Sequence, residues 1–282
     1  MSFPERRLIE RRALITGAGS GLGRALALQA GAAGWRVACT DMRVETAEST
    51  AAQIAAAGGT ALALAQNITD DAQWNQVVEQ LRQVWGGVDL LINNAGVATA
   101  GTVAESPLEQ WQWVLDINLL GCVRGARAVM PLLSAQQGGH IVNIASFAGI
   151  ANPPAMASYN VSKAAVISLS ETLRFELAPL GVGVSVACPS FFKTALMETS
   201  GASAPGNSHS SAPQVQKIVG RLMQKATVTA DDVAADILAA VEHNRFLVIT
   251  HPDARQRYHL KRVAPEFYFR MARKATAKFL QR

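Results

Sequence analysis

Short, almost wholly apolar runs alternate along this chain with longer segments of helical period. Because the short runs are rich in β-branched residues, the alternation predicts repeated β-α-β units and a parallel sheet with helices on both faces. The predicted strands are residues 12–16, 35–40, 60–65, 88–92, 140–145, 182–188 and 245–250. The predicted helices are residues 21–33, 44–57, 70–85, 107–135, 158–179 and 229–243. We therefore expect a single-domain α/β fold, Rossmann-like and doubly wound, with a seven-stranded parallel sheet in a three-layer αβα arrangement.

The basic character of the chain is confined to its C-terminal tail. Residues 251–282 carry nine Lys and Arg against two carboxylates, a net charge of +7, which leaves residues 1–250 at −2. A folded face for nucleic acid is therefore not expected. After Pro265 the tail predicts an amphipathic helix whose apolar residues stand among basic ones; they are Phe267, Phe269, Met271, Phe279 and Leu280. This basic extension has three possible positions: on an anionic membrane, over the site of a neighbouring subunit, or against its own domain.

The hydropathy pattern and the cysteine positions limit the class of protein. No apolar run is long enough to span a membrane, and the charged start lacks the apolar block of a signal peptide, so we expect a soluble, cytoplasmic protein. The cysteines, Cys39, Cys122 and Cys188, stand in apolar stretches without metal-ligand spacing and are expected to be reduced core thiols. No metal site is expected.

A glycine-rich loop joins the first predicted strand to the first helix. It reads Thr-Gly-Ala-Gly-Ser-Gly-Leu-Gly over residues 16–23. Glycines let the backbone approach a pyrophosphate, which the free N–H groups at the helix start favour; the plain alternative is a glycine turn. Asp41 ends the second strand, where a carboxylate accepts a bond from a ribose hydroxyl and repels a 2′-phosphate. This favours NAD, and Arg43, two residues on, leaves NADP as the alternative.

Tyr159 and Lys163 are four residues apart at the start of a predicted helix, so they share one face. A phenol with a pKa near 10 exchanges protons poorly at neutral pH, and a neighbouring ammonium group brings that pKa down. Y-x-x-x-K alone is a common chance pair on a surface helix. Ser146, at the end of the fifth strand, would place a hydroxyl on the same sheet edge, where it can hold a substrate oxygen. The three residues together favour a catalytic site.

With these motifs in order, the chain resembles the short-chain dehydrogenase/reductase family over about residues 10–250. The matching segments are T-G-x-x-x-G-x-G at 16–23, N-N-A-G at 93–96, Asn118, Ser146, Y-x-x-x-K at Tyr159 and Lys163, and Pro189 with Thr194 five residues on. The resemblance implies hydride transfer between a nicotinamide cofactor and a carbinol or carbonyl carbon. It also implies that residues 1–250 form the dinucleotide-binding and catalytic domain, with a mobile substrate loop at about 190–228 that includes the Ser-, Gly-, Ala- and Pro-rich stretch 199–213.

The resemblance also implies roles for individual residues. Tyr159 is the acid or base, Ser146 orients the substrate oxygen, Lys163 tunes Tyr159 and binds the nicotinamide ribose, and Asn118 holds a water that links Lys163 to solvent. The implied cofactor-binding residues are Gly17, Ser20, Gly21, Leu22, Gly23, Asp41, Asn67, Ile68, Asn94, Ala95, Gly96, Tyr159, Lys163, Pro189 and Thr194. Asn67 stands where the family usually has Asp, which would weaken but preserve adenine binding.

The residues expected to face the substrate are apolar and favour a lipophilic alcohol or ketone. They are Phe147, Ala148, Ile150, Met156, Phe191, Phe192, Leu196 and Met197. Several of them have packing beneath the loop as an alternative role. We expect a homodimer or homotetramer. The competing functions are a catalytically silent NAD-binding sensor or scaffold and a peripheral membrane binder acting through the tail.

Overall fold

A seven-stranded parallel sheet with strand order β3-β2-β1-β4-β5-β6-β7 forms the centre of the molecule. The computed structural model describes residues 8, 10–192, 205 and 212–280. Its strands are β1 (Arg12–Thr16), β2 (Arg36–Asp41), β3 (Thr60–Ala65), β4 (Leu90–Asn93), β5 (His140–Ile144), β6 (Gly183–Ala187) and β7 (Leu247–Val248). The predicted fold class and strand number are confirmed. The order reverses between β1 and β4, so a crevice opens beyond the carboxyl ends of these strands.

Helices cover both faces of the sheet. They are α1 (Gly21–Ala32), α2 (Val44–Ala56), α3 (Asp71–Trp85), α4 (Leu108–Leu115), α5 (Gly121–Gln136), α6 (Ala148–Ala151), α7 (Ala157–Leu177), α8 (Ala212–Gln224), α9 (Ala230–Glu242), α10 (Pro252–Val263) and α11 (Pro265–Leu280). One apolar layer packs α1, α2 and α9 on the sheet, with Leu26 and Ile237 fully buried. The other packs α3, α5 and α7, with Trp74 and Leu133 at its centre.

Two predicted segments differ from the structure. The single helix predicted over 107–135 begins instead after Pro107, at Leu108, and a π-helical turn, Asp116–Leu120, interrupts it. The helix α8 lies within the region predicted as a loop, because Val215, Val219 and their neighbours recur at helical spacing; both valines are buried. Residues 199–204 and 206–211 of the predicted loop lie outside the described residues, as do Thr194, Leu196 and Met197.

The N-terminal ends of β1 and β4 are joined by a buried ion pair. The Arg12 guanidinium donates from Nε to Asp89 Oδ2 at 2.8 Å and from Nη2 to Oδ1 at 3.1 Å. The Arg12 backbone N–H donates to the same carboxylate at 3.0 Å. Both side chains are almost completely excluded from water, so the Asp89 charge depends on Arg12 for its compensation, while Arg12 also lies 3.7 Å from the exposed Glu10 carboxylate.

The C-terminal tail folds against its own domain as the helices α10 and α11. Ala254 and Tyr268 are buried, and the Lys261 ammonium donates to the Ile150 carbonyl. Helix α10 lies before the predicted tail helix and was not predicted from the sequence. Within the described part of the chain, no helix combines the length and apolar character that crossing a membrane requires. The side chains of Phe279 and Leu280 lie outside the described residues.

Candidate active site

A cavity of about 2020 Å³ opens at the carboxyl edge of the sheet. Most of the predicted site residues line it: Gly17, Ser20, Gly21, Leu22, Asp41, Asn67, Ile68, Asn94, Ala95, Gly96, Ser146, Tyr159, Lys163 and Pro189. Two further predicted residues, Gly23 and Asn118, lie behind this wall. The volume exceeds the range of about 300–1,000 Å³ that is usual for ligand pockets, so there is room for a large cofactor beside a second molecule.

The glycine-rich loop forms a cradle at one end of the cavity. Gly17 and Gly21 have φ of +64° and +50°, the left-handed region that favours glycine. A side chain at Gly19 would collide with the Asp41 carboxylate and with Thr46. Within the described part of the chain, the Ser20 side chain makes no capping hydrogen bond to the start of α1. The first backbone N–H groups of this helix are therefore available to an anion. The cradle therefore fits the pyrophosphate of a dinucleotide.

Hydrogen bonds fix the cradle to the end of β4. The Thr16 hydroxyl accepts from the backbone N–H groups of Asn94 and Ala95, each at 3.0 Å. In return, the Asn94 side chain donates to the Thr16 carbonyl at 2.9 Å. A side chain at Gly23 would collide with the Gly17 carbonyl and the Asn94 amide, so Gly23 permits close packing behind the cradle.

Asp41 lies at the end of β2 with both carboxylate oxygens directed to backbone donors. Oδ2 accepts from Gly19 N and Oδ1 from Arg43 N, each at 3.1 Å. The carboxylate is thereby held beside the cradle, with lone pairs still available to a ligand. The exposed Arg43 also lines the cavity. Both the group that favours NAD and the group that would tolerate NADP are therefore present.

Gln66, which the sequence analysis missed, lines the cavity immediately after β3. Only 2% of it is exposed, and neither its amide nitrogen nor its carbonyl oxygen has a hydrogen-bond partner among the described residues. The side-chain oxygen Oδ1 of the neighbouring Asn67, which was expected to face adenine, accepts from the Thr69 N–H at 3.1 Å and from the Thr69 hydroxyl at 2.9 Å. A buried carboxamide without a partner is costly, so Gln66 is suited to bind a polar ligand edge.

Ser146, Tyr159 and Lys163 converge on the cavity between β5 and α7. The Lys163 ammonium donates to the Ile144 carbonyl at 2.9 Å and lies 5.9 Å from the centroid of the Tyr159 ring. Burial raises the pKa of Tyr159, and a hydrogen bond with the Ser146 hydroxyl offsets part of this rise. Burial also lowers the pKa of Lys163. The pKa of Tyr159 is therefore raised rather than lowered, because burial outweighs the effect of Ser146.

Asn118 lies in the π-helical turn between α4 and α5, 1% exposed. Its Oδ1 accepts from Val97 N at 2.8 Å, while Nδ2 donates to the Val97 carbonyl at 2.9 Å and to the Ser162 hydroxyl at 3.0 Å. The side chain thus fixes the segment after β4 to α7, directly behind the cavity wall. A proton relay through Asn118 stays a prediction.

Apolar side chains line the other half of the cavity. Of those predicted to face the substrate, the cavity contacts Phe147, Ala148, Met156, Phe191 and Phe192; α8 adds Val215, Ile218, Val219, Leu222 and Met223. The segment after β6 is held by His251, another residue that sequence reasoning missed. Its Nδ1 accepts from Ser190 N at 3.3 Å and its Nε2 donates to the Phe191 carbonyl at 3.0 Å. No sequence signal distinguished this histidine from an ordinary one.

Comparisons with known proteins indicate the family of this chain. A family model described as short chain dehydrogenase matches residues 11–204. The chain is 34% identical over 253 residues to the probable oxidoreductase EphD of Mycobacterium tuberculosis, a match that covers 89% of this chain and 43% of the relative. The chain therefore spans less than half the length of that relative.

Two further proteins match over nearly their whole length. The CLA biosynthesis dehydrogenase/reductase of Lactiplantibacillus plantarum is 33% identical over 250 residues, covering 85% of this chain and 87% of that protein. The crystal structure of a short chain dehydrogenase/reductase from Burkholderia phymatum in complex with NAD superposes with a TM-score of 0.85 at 32% identity. It covers 95% of this chain and 96% of its own.

Proposed function

Because the chain belongs to the short-chain dehydrogenase/reductase family of NAD- or NADP-dependent oxidoreductases, we propose that it interconverts a lipophilic alcohol and ketone with NAD. The observation that carries this proposal is the convergence of Ser146, Tyr159 and Lys163 on the cavity that also contains the glycine cradle. A cradle for pyrophosphate and a proton-transferring group in one cavity are the parts that such a reaction needs.

The proposed chemistry divides between cofactor and protein. When bound, NAD would supply the hydride acceptor for the carbinol carbon, and NADH would supply the hydride donor for the carbonyl carbon. In oxidation Tyr159 takes the hydroxyl proton, and in reduction it returns a proton to the carbonyl oxygen. Ser146, whose hydroxyl lowers the pKa of Tyr159, orients the same substrate oxygen. The Lys163 ammonium stabilises the phenolate form of Tyr159 by its positive charge.

We propose NAD rather than NADP because of Asp41. Its carboxylate, held by the Gly19 and Arg43 N–H groups, would accept a bond from a ribose hydroxyl and would repel a 2′-phosphate. The related structure from Burkholderia phymatum, in complex with NAD, supports the same choice. We further propose that the unpartnered Gln66 amide binds the adenosine half of the cofactor.

The substrate proposal rests on the apolar wall around Tyr159. Phe147, Phe191 and the α8 side chains offer few polar partners for the hydroxyl groups of a polyol, which would lose hydrogen bonds to water on entry. The alternative of a silent NAD sensor is less favoured because all three catalytic side chains are in place.

A screen of alcohols and ketones with both nicotinamide cofactors, followed by nicotinamide absorbance, tests the proposal. We expect turnover of apolar secondary alcohols or ketones with NAD or NADH, and little turnover of polyols. Each reaction is repeated with Tyr159→Phe protein, which separates turnover at this site from a contaminating activity. Tight cofactor binding without turnover of any compound would favour the sensor instead.

A further inference from the structure

The C-terminal helices α10 and α11 form part of the wall of the candidate active site. Tail residues that line the cavity include three cations, Arg257, Lys261 and Arg273, and one carboxylate, Glu266. Aromatic rings of the same helices, Tyr268 and Phe269, lie beside them. The tail therefore brings a net positive charge to a cavity whose substrate half is otherwise mainly apolar.

Lys261 is the most constrained of these cations. Its ammonium donates to the Ile150 carbonyl, in the segment that follows Ser146, and lies 6.0 Å from the centroid of the Tyr268 ring. An ammonium group has three donors, and this contact uses one of them. Lys261 is thus fixed between the tail and the segment that carries Ser146, at the wall of the cavity.

The charge of Lys261 has no carboxylate partner within ion-pairing distance among the residues that the structure describes. Arg257, one turn earlier, differs because it pairs with Asp253 at 3.4 Å. Partial burial lowers the pKa of Lys261, which indicates that its charged form is incompletely solvated. An anionic ligand group in the cavity would compensate this charge and use the remaining donors.

The cavity that Lys261 lines also has apolar walls. Met156, Phe192 and Val219 contribute to the wall, and all three are buried. A ligand that suits both parts of the cavity combines an apolar chain with an anionic group. A neutral lipophilic compound would leave the ammonium uncompensated.

We propose that the substrate carries an anionic group such as a carboxylate, separated by an apolar chain from its carbinol or carbonyl carbon, and that Lys261 binds this group. The inference rests on the proposed function, since it names the substrate class of the same site. Lys261 acts on substrate selection, while proton transfer belongs to Tyr159.

The test compares methyl ketones that end in a carboxylate with their methyl esters, at several chain lengths. We expect the wild-type protein to have the higher kcat/KM for the acid. Lys261→Met should lower the acid-to-ester ratio about tenfold, the effect of losing one hydrogen bond to a charged group. Lys261→Arg should restore most of the ratio. Lys274→Met, at an exposed position of α11 that does not itself line the cavity, removes the same charge and should not change the acid-to-ester ratio.

The acid-to-ester ratio distinguishes a loss of anion binding from a loss of packing around Lys261, because a merely structural defect would lower the activity on acid and ester alike. An acid-to-ester ratio near one in wild type, or a ratio that Lys261→Met does not change, overturns the inference while turnover supports the function. Turnover of neither compound counts against the proposed function. In that case the binding of decanoate and decanol is compared by calorimetry. If the wild-type protein prefers decanoate and Lys261→Met abolishes this preference, the result supports the anion site. If all variants bind the two compounds equally, the anion site is overturned.

Discussion

Replacing Asp41 with Asn should reduce the preference of the protein for NADH over NADPH. The substitution keeps the size of the side chain and one acceptor oxygen for the Gly19 N–H, which Asp41 Oδ2 now accepts at 3.1 Å. It removes the negative charge beside the cradle. It also replaces the oxygen that accepts from the Arg43 N–H, so the change in preference reports the charge of this residue together with the loss of that bond.

The expected size follows from two effects. Two unit charges about 4 Å apart repel by ~1 kcal/mol in water and ~4 kcal/mol near a protein surface. Asp41 is half-buried, so the lower part of this range applies. The lost charge assistance in a bond to a ribose hydroxyl adds about 1 kcal/mol. Together these give ~2 kcal/mol, or roughly a thirtyfold fall in the NADH-to-NADPH affinity ratio.

The assay is a fluorescence titration of the protein with each reduced dinucleotide, which needs no substrate. Glu48→Gln, at an exposed position of α2, makes the same change of net charge away from the cavity and should leave the ratio unaltered. The reasoning would be refuted by a wild-type protein that binds NADPH more tightly, or by an Asp41→Asn ratio equal to that of wild type. Either result would indicate that Arg43 controls the site.

Three further substitutions or treatments test other parts of the structure. Gln66→Leu removes a buried amide without partners, so chemical denaturation should show a free energy of unfolding higher by about 1 kcal/mol, while NADH affinity falls about tenfold; unchanged NADH affinity would exclude Gln66 from the cofactor site. Asp89→Asn leaves the buried Arg12 with only the exposed Glu10 carboxylate, 3.7 Å away, and should lower the free energy of unfolding by about 3 kcal/mol in the same assay; a loss under 1 kcal/mol would contradict this. Burial raises the pKa of Cys39 and of Cys188 to about 12, so iodoacetamide at about pH 8 should leave both unmodified by mass spectrometry until the protein unfolds.

The sheet could be predicted because parallel strands that are covered on both faces are mostly apolar. Every residue of β1, β5 and β6 is buried, and each matches a predicted run to within about one residue at either end. β7 is shorter than its predicted run, because only Leu247 and Val248 pair with β6.

The helices α8 and α10 could not be predicted, for two different physical reasons. α8 has a clear apolar period from Val215 to Met223, but the preceding Ser-, Gly- and Pro-rich stretch led the sequence analysis to treat the whole region as a loop. α10 is mostly charged and polar, so its sequence has little apolar period to detect. Its position depends on contacts such as that of Lys261 with Ile150, which are 111 residues apart in the chain.

The site residues also divide into those that the sequence pattern predicts and those that depend on packing. The glycine loop, Asp41, Ser146 and Tyr159 follow strand ends or helix starts, whose positions a sequence pattern predicts. Gln66 was not predicted, because its burial and lack of partners depend on how neighbouring elements pack around it. The amino-acid sequence does not show whether a glutamine is solvated or is buried without hydrogen-bond partners.

The most direct test of the central claim is the turnover of Tyr159→Phe protein, measured beside its NADH affinity. The ring that contributes to the buried wall remains, and only the hydroxyl that we propose as the proton donor and acceptor is lost. We predict NADH affinity close to that of wild type and a kcat at least ~100-fold lower, the scale of general acid–base catalysis, on the ketone that wild type reduces fastest. A variant that retains most of the wild-type rate would contradict the account, because proton transfer would then not depend on Tyr159.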